Sequence, residues 1–465
     1  MAGFTWDSPY ASQRAPVLAA NVVATSQPLA AQAGLRMLLA GGNAIDAIVA
    51  TAITLTVVEP VMNGIGSDAF ALVWDGRKLH GLNASGRAPA AWTHDRFAGR
   101  TAMPVRGWDA VTVPGAVSAW VALSKAHGRL PFAQLFEPAI DYAERGFVVT
   151  PVIAGQWAAQ ADVLRDLPGF AEAFLRDGRA PRVGELFRFP DQARTLREIA
   201  ATGGESFYRG ALAGRIAAFA AETGGAMTAA DLATHAATPV EPIAQRYRDH
   251  TLHEIPPNGQ GIAALIALGI LGEFELASLA PESADAVHLQ AEAMKLAFAD
   301  AYAHVADPEA MRVRWQALLD PAYLAQRAKR IDRDRAQDFG AGAPPDSGTV
   351  YLTAADAGGM MVSYIQSNYM GFGSGVVVPG TGISLQNRGA GFSLEAGHPN
   401  EVAPGKRPFH TIIPGFVTRD GRAVMSFGVM GGDMQAQGHL QMMVRLADWR
   451  QNPQAAADAP RWKVS

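Results

Sequence analysis

Cysteine is absent from this chain of 465 residues, which excludes disulfides, thiolate metal sites and a cysteine nucleophile. A surplus of positive charge is absent too: 39 Lys and Arg face 43 Asp and Glu, for a formal charge of -4. No basic stripe stands out, so nucleic acid is not the expected partner. Long apolar runs are missing. The longest, Ala44 to Val58, is interrupted by Asp46 and three threonines and is too short to cross a bilayer. The opening residues MAGFTWDSPYASQRAPVLA carry Asp, Arg and two prolines without an apolar centre, unlike a signal peptide. A soluble cytoplasmic protein without a membrane partner is the expectation. The eleven histidines are scattered, with no HExxH and no i, i+4 pair beside carboxylates, so neither a metal nor another cofactor is expected. GFGSGV (Gly371–Val376) runs into a strand and turn instead of a helix, against a nucleotide loop. Ser85 in NASGRAP is no GxSxG elbow. There is no repeat of 20–50 residues.

What is present is enough apolar material, 49% of residues, for a large core. The first part of the chain is helical in pattern. Ser26 and Pro28 open a helix through Leu39, which Gly41-Gly42 ends. Asn43 and Asp46 form a cap-like start for Ala44–Val58, apolar on almost every face and therefore internal. Strands are expected at Ala69–Trp74 and Lys78–Leu82, a strand end at Val111–Gly115, and helices at Ala116–Ala126, Gly259–Gly272 and Ala284–His304. Ala325–Gly348 is charged, then rich in Gly and Pro, and reads as an exposed flexible segment. Beyond it the pattern turns to strand: Thr349–Ala355 and Met360–Ser367 alternate around the turn Asp356–Gly359, a hairpin.

A linker that meets a strand at a hydroxyl residue suggests a specific chemistry. If the Gly348–Thr349 bond is cut, Thr349 gains an α-amine with an unperturbed pKa of about 8, a base for its own hydroxyl. The cut can be autocatalytic, and Gly348 offers no side chain to obstruct attack on its carbonyl. Spacing alone does not distinguish this from an ordinary strand that begins with threonine.

The surrounding residues narrow the choice. Gly348–Gly389, opening GTVYLTAADAGG, is similar to the nucleophile region of the gamma-glutamyltransferase family. ATSQPLAAQAGLRMLLAGGNAIDA (Ala24–Ala47), VVEPVMNGIGSDAF (Val57–Phe70), VTVPGAVSAW (Val111–Trp120) and EAMKLAFAD (Glu292–Asp300) resemble its large-subunit blocks. APGKRPFHTIIP (Ala403–Pro414) and SFGVMGGDMQAQGH (Ser426–His439) resemble small-subunit blocks, all in family order. The resemblance implies an α+β fold, the four-layer αββα sandwich of N-terminal-nucleophile hydrolases. It implies one precursor, cut into a large subunit (1–348) and a small subunit (349–465) that stay associated as one intertwined structural domain. A homodimer of that heterodimer is left open. On the same grounds Thr349 falls on the nucleophile and Ser367 on a supporting hydroxyl. Gly431 and Gly432 fall on the pair whose amides hold the oxyanion, a role suited to residues without a Cβ.

Departures from the family bear on the substrate, a small amide with a carboxylate. The Asp that follows the LxN run in the transferases is Gly391 here. Their carboxylate-binding Arg matches Ser85, with Arg87 two residues later, and their paired serines after KRP match His410 and Thr411. Asn387 closes the LxN run, and Arg388 after it stands where it can grip a carboxylate by paired hydrogen bonds. Val350 replaces a threonine, with alternation turning it away from Thr349. This variant pattern resembles members that include oxamate amidohydrolase and glutaryl-cephalosporin acylases. Hydrolysis or transfer of γ-glutamyl groups, as of glutathione, uses the same chemistry with a different pocket. A non-catalytic binding protein that has lost processing is the remaining reading. It draws on the chain ending at Ser465, just after DAPRW, where family members continue and a sheet edge would lie exposed.

Overall fold

Two antiparallel sheets lie face to face with helices on both outer surfaces. The computed structural model describes residues 9–11, 14–339 and 348–464. The first sheet has the order Val22–Thr25, Gly348–Ala355, Met361–Tyr369, Asp68–Trp74, Leu79–Asn83, Thr238–Val240. The second has the order Arg422–Phe427, Gly415–Arg419, His250–Glu254, Ile243–Tyr247. Alternation along the strands fills three apolar layers. Phe70, Leu72, Ile365, Ile412 and Phe416 meet between the sheets. Ala69, Ala71, Val350, Leu352 and Tyr364 face the helices of the first side, and Leu252 and Val417 face those of the second. This is the expected four-layer αββα sandwich. Two strands from beyond the Gly348–Thr349 junction lie between strands from before it in one sheet, and Val350 turns away from the sheet interface as its alternation predicts.

The two most apolar helices, Ala44–Val58 and Gly261–Leu271, form the buried outer layers. The first is completely buried and starts at a capping box, in which Asn43 accepts from the Ile45 and Asp46 amides while Asp46 accepts from the Asn43 amide. The fully buried Asp46 also accepts from the Arg129 and Leu130 amides, and Asp356 of the hairpin turn accepts from the Ala44 amide. The turn beyond the strand Gly348–Ala355 is thereby tied to the start of the central helix.

Two expectations need correction. Val111–Gly115 is no strand end: it carries no ladder beside residues 84–87, only single bonds from the Val113 amide to the Arg87 carbonyl and from the Gly115 amide to the Ser67 carbonyl. A Cβ on Gly115 would lie 1.5 Å from the Ala84 carbonyl oxygen, a closeness no ladder register allows. The segment from Ala325 onward is not uniformly loose either. Ala325–Ala328 completes the helix Pro321–Ala328, and Ala328 and Ile331 are buried against the second layer of helices, so a few apolar anchors outweigh the surrounding charge. Residues 340–347 of the segment lie outside the described residues. Arg422–Phe427 is an edge strand of the second sheet, part-buried over most of its length.

Candidate active site

The pairing of the nucleophile strand contains one irregularity, and it falls at the candidate residue. Gln366 pairs with Val350 and Tyr369 with Gly348, so both Ser367 and Asn368 stand opposite Thr349. Bulges of this kind re-aim side chains beside functional sites, and Tyr369 takes the left-handed φ of 81° that the bend requires. The Thr349 side chain enters the space between the sheets. Its Oγ1 lies 3.4 Å from the Ser367 Oγ, to which it donates, and 3.3 Å from Gln435 Nε2, from which it accepts. Ser367 Oγ also accepts from the Tyr369 amide at 2.8 Å.

Gln435 sits in the first turn of the helix Met434–Ala447, directly after Gly431 and Gly432. Both glycines have positive φ, 111° and 55°, and their carbonyls accept from the Met434 and Gln435 amides, which brings the loop onto the positive end of the helix. Gln260 ties this loop to the strand ahead of it: its buried Nε2 donates to the carbonyls of both Gly432 and Thr411.

Arg388 and Thr411 form the other half of the site. Arg388 is 1% exposed, lies 4.6 Å over the Tyr369 ring, and donates through Nη1 to Thr411 Oγ1 at 2.8 Å. Its Nε and Nη2 find no partner among the described residues. Those two groups share one edge of the guanidinium, the edge that holds a carboxylate by two parallel bonds. Burial pulls the Arg388 pKa down to about 10, which leaves it a cation at neutral pH. Arg388, Thr411, Tyr369, Gly391, Phe392 and Met103 share the lining of a cavity of about 800 Å³. Thr349 is not part of that lining; the cavity reaches Tyr369, the strand partner of Gly348.

Behind this wall lies a buried polar cluster. Asp68, opposite Ser367 in the sheet, accepts from the Gly86 and Gly115 amides and from His410 Nε2 at 3.2 Å. Burial pushes Asp68 up to about 7, against the pull of Arg388 and Arg407. Burial, then Arg388 and Arg407, holds His410 well below its ordinary value. Its Nδ1 accepts from the Ile412 amide, so the proton of the neutral ring sits on Nε2 and points at Asp68.

Thr349 meets Ser367 and Arg388 meets Thr411, with Tyr369 between the two pairs and Gly432 joined to Thr411 through Gln260. Three other candidates are placed elsewhere. Arg87 is paired with Asp307 at 3.0 Å and with the Gly405 carbonyl, in a smaller cleft beside His235 and Arg407 and away from the Arg388 cavity. His410 is fully buried against Asp68 and Phe70, backing the wall without lining it. Asn387 spends its amide on the Val105 carbonyl and its oxygen on the Met370 amide, which braces the rim. Asp68, Tyr369, Gln260 and Gln435 were missed. Asp68 had a signal, a lone carboxylate in an otherwise apolar strand; a glutamine in a polar helix turn has none.

Residues 30–465 match the family model described as gamma-glutamyltranspeptidase. The chain belongs to this family. Oxamate amidohydrolase proenzyme of Klebsiella pneumoniae is 42% identical over 442 residues, 93% of this chain and 83% of the relative. The glutathione hydrolase-like YwrD proenzyme of Bacillus subtilis is 38% identical over 445 residues, 95% of this chain and 84% of the relative. Among solved structures, cephalosporin acylase from Bacillus halodurans superposes with a TM-score of 0.94 at 52% identity, covering 99% of this chain and 87% of that one. Gamma-glutamyltranspeptidase membership makes the protein an enzyme, an amidohydrolase or acylase of the N-terminal-nucleophile type, and not the non-catalytic binding protein that the sequence left open. At Gly391 a Cβ would lie 2.5 Å from the Phe409 carbonyl oxygen, so the backbone there leaves no room for a side chain.

Proposed function

We propose that the chain is a proenzyme that cuts itself between Gly348 and Thr349 and then hydrolyses amides whose acyl part carries one carboxylate and no amine. Residues 1–348 become the large subunit and 349–465 the small one. The Thr349 oxygen attacks the amide carbonyl, its freed α-amine takes the hydroxyl proton and passes it to the nitrogen of the leaving amine as the C–N bond breaks, and Ser367 orients the hydroxyl. The Gly431 and Gly432 amides hold the oxyanion, where the loss of one donor costs about 3 kcal/mol of barrier. The acyl group then passes from Thr349 to water.

The observation that carries the acyl specificity is the buried Arg388, with Nε and Nη2 unpartnered and Thr411 fixing the opposite side of the fork. Among the described residues that line the cavity the one acidic side chain is Glu395, four positions on from Gly391. A γ-glutamyl group therefore leaves a cation uncompensated, whereas oxamate or a glutaryl amide does not. The relatives named for oxamate and cephalosporin substrates support this reading over the one named for glutathione.

Intact mass of purified protein tests the processing: both fragments appear in wild type, and only the precursor in Thr349→Ala. Wild type that stays whole while turning over substrate ends the reading. For the acyl group, kcat/KM is compared for glutaryl and γ-glutamyl p-nitroanilide, with oxamate followed by ammonia release. A γ-glutamyl preference of about tenfold, or roughly 1.4 kcal/mol, overturns the specificity.

A further inference from the structure

Gln435 belongs to none of the roles above, yet its side chain touches the atom on which the reaction turns. Its carboxamide orientation is settled by the backbone. The Ile413 amide reaches Gln435 Oε1 at 3.0 Å, so the oxygen must face Ile413 and the NH₂ must face Thr349 Oγ1, 3.3 Å away. The flipped amide would set two N–H groups against each other in a fully buried place. The side chain has little freedom to leave. It projects from the first turn of a 14-residue helix, and its own backbone N–H is bonded to the Gly432 carbonyl.

We propose that Gln435 is a catalytic residue, an N–H donor that stabilises the Thr349 oxygen when it departs from the acyl group. The inference rests on Thr349 being the nucleophile. In deacylation, water oxygen bonds to the acyl carbon, a tetrahedral intermediate forms, and the bond from that carbon to Oγ1 breaks. The electron pair leaves on Oγ1, which is protonated by the α-ammonium formed when the α-amine took a proton from the attacking water; the products are a carboxylic acid and the free hydroxyl. The same bond breaks in the last step of self-processing, where the ester between Gly348 and Thr349 Oγ1 is hydrolysed. An ester oxygen is a poor acceptor and an alkoxide a strong one. The contact with Gln435 therefore strengthens as the acyl group is released and weakens as it is taken on. Its removal slows release more than it slows acylation, an asymmetry that a merely structural residue has no reason to produce.

The test uses Gln435→Met, which removes the donor, and Gln435→Glu, which keeps the size and the acceptor for Ile413 while losing the N–H. Each is followed with glutaryl p-nitroanilide at pH 8, by rapid-mixing kinetics and by the mass of the small fragment during turnover. The expected result is a preserved burst of p-nitroaniline, a steady-state rate at least tenfold lower, and acyl mass accumulating on Thr349. If burst and steady-state rates fall by one common factor, or neither changes, the proposal is overturned. Should Gln435→Met stop at the precursor, hydroxylamine decides. It cleaves a stalled Gly348–Thr349 ester faster than water does, and a precursor that resists it counts against the proposal. The two levels of the argument separate in the same data. Acyl mass on a residue other than Thr349 removes both, whereas acyl mass on Thr349 with wild-type partitioning removes only the role of Gln435.

Discussion

Replacing Arg388 isolates the contact on which substrate choice depends. In the free enzyme the guanidinium is buried over Tyr369 and bonded to Thr411, with its Nε and Nη2 edge unpartnered. A carboxylate on that edge gains two charge-assisted bonds, each contributing about 1.5–3 kcal/mol when measured singly and less than twice that together. Arg388→Met therefore costs about 3 kcal/mol in transition-state binding of a carboxylate-bearing acyl group, roughly 10²-fold in kcat/KM. Arg388→Lys keeps the charge and loses the fork, for a loss of about tenfold. The fold tolerates either change: Asp68, already at about 7, takes up a proton when the cation beside it is gone and leaves no unpaired buried charge. The assay is the ratio of kcat/KM for glutaryl p-nitroanilide to that for uncharged pentanoyl p-nitroanilide. Dividing the two cancels any loss of correctly folded or processed enzyme. For Arg388→Met the ratio falls by roughly 10²; a ratio within about threefold of wild type would refute the assignment of the anion to Arg388.

Gly391→Asp puts a carboxylate where the Phe409 carbonyl leaves no room, so it destabilises the Thr349→Ala precursor by an overpacking cost of about 1–3 kcal/mol, read as a lower melting temperature. It gains no γ-glutamyl activity; a stable variant that does gain it shows that the 408–409 segment yields. Asp68 leaves a signature in the pH dependence of stability. Its folded pKa of about 7 lies above the unfolded value of about 3.9, so the folded state binds the proton more tightly. Its contribution is fully present below pH ~4 and is lost as pH rises through ~7. Denaturant unfolding of the Thr349→Ala precursor, with and without Asp68→Asn, reads this as a difference that declines between those limits, and a flat difference contradicts it.

Much of the framework was legible because it depends on neighbours in sequence. The cap at Asn43 and Asp46, the all-apolar helix behind it, the hairpin turn at Asp356–Gly359 and the alternation of Val350, Leu352 and Ala354 are local, and the structure keeps them. Thr349, Ser367 and the glycine pair were recognisable because each lies within a contiguous family motif. Val111–Gly115 failed for the opposite reason: its β-like residues are held by Ser67, Ala84 and Arg87, segments that local pattern does not see.

The pocket was decided in three dimensions. In sequence, Arg87 and Arg388 were both candidates for the carboxylate, with Arg388 preferred for its place after Asn387. Only the fold sets Asp307 against Arg87 and leaves an edge of Arg388 unpartnered beside a cavity. His410 and Asp68 lie 342 residues apart and meet because the segment ahead of the strand Gly415–Arg419 packs on the strand Asp68–Trp74, which brings them within 3.2 Å and spends the histidine on the carboxylate instead of on a substrate. Gln435 is the clearest case. Its spacing along the helix gives no sign of a partner, while the Ile413 amide, contributed by another segment, turns its N–H toward Thr349. Residue types and their short-range order thus determined the individual helices and the strand that bears the hydroxyl, while the layers and the class of chemistry followed from the resemblance to a family. Which polar group is left unpaired depends on segments hundreds of residues apart, because a hydrogen bond is specified by the position of both its ends.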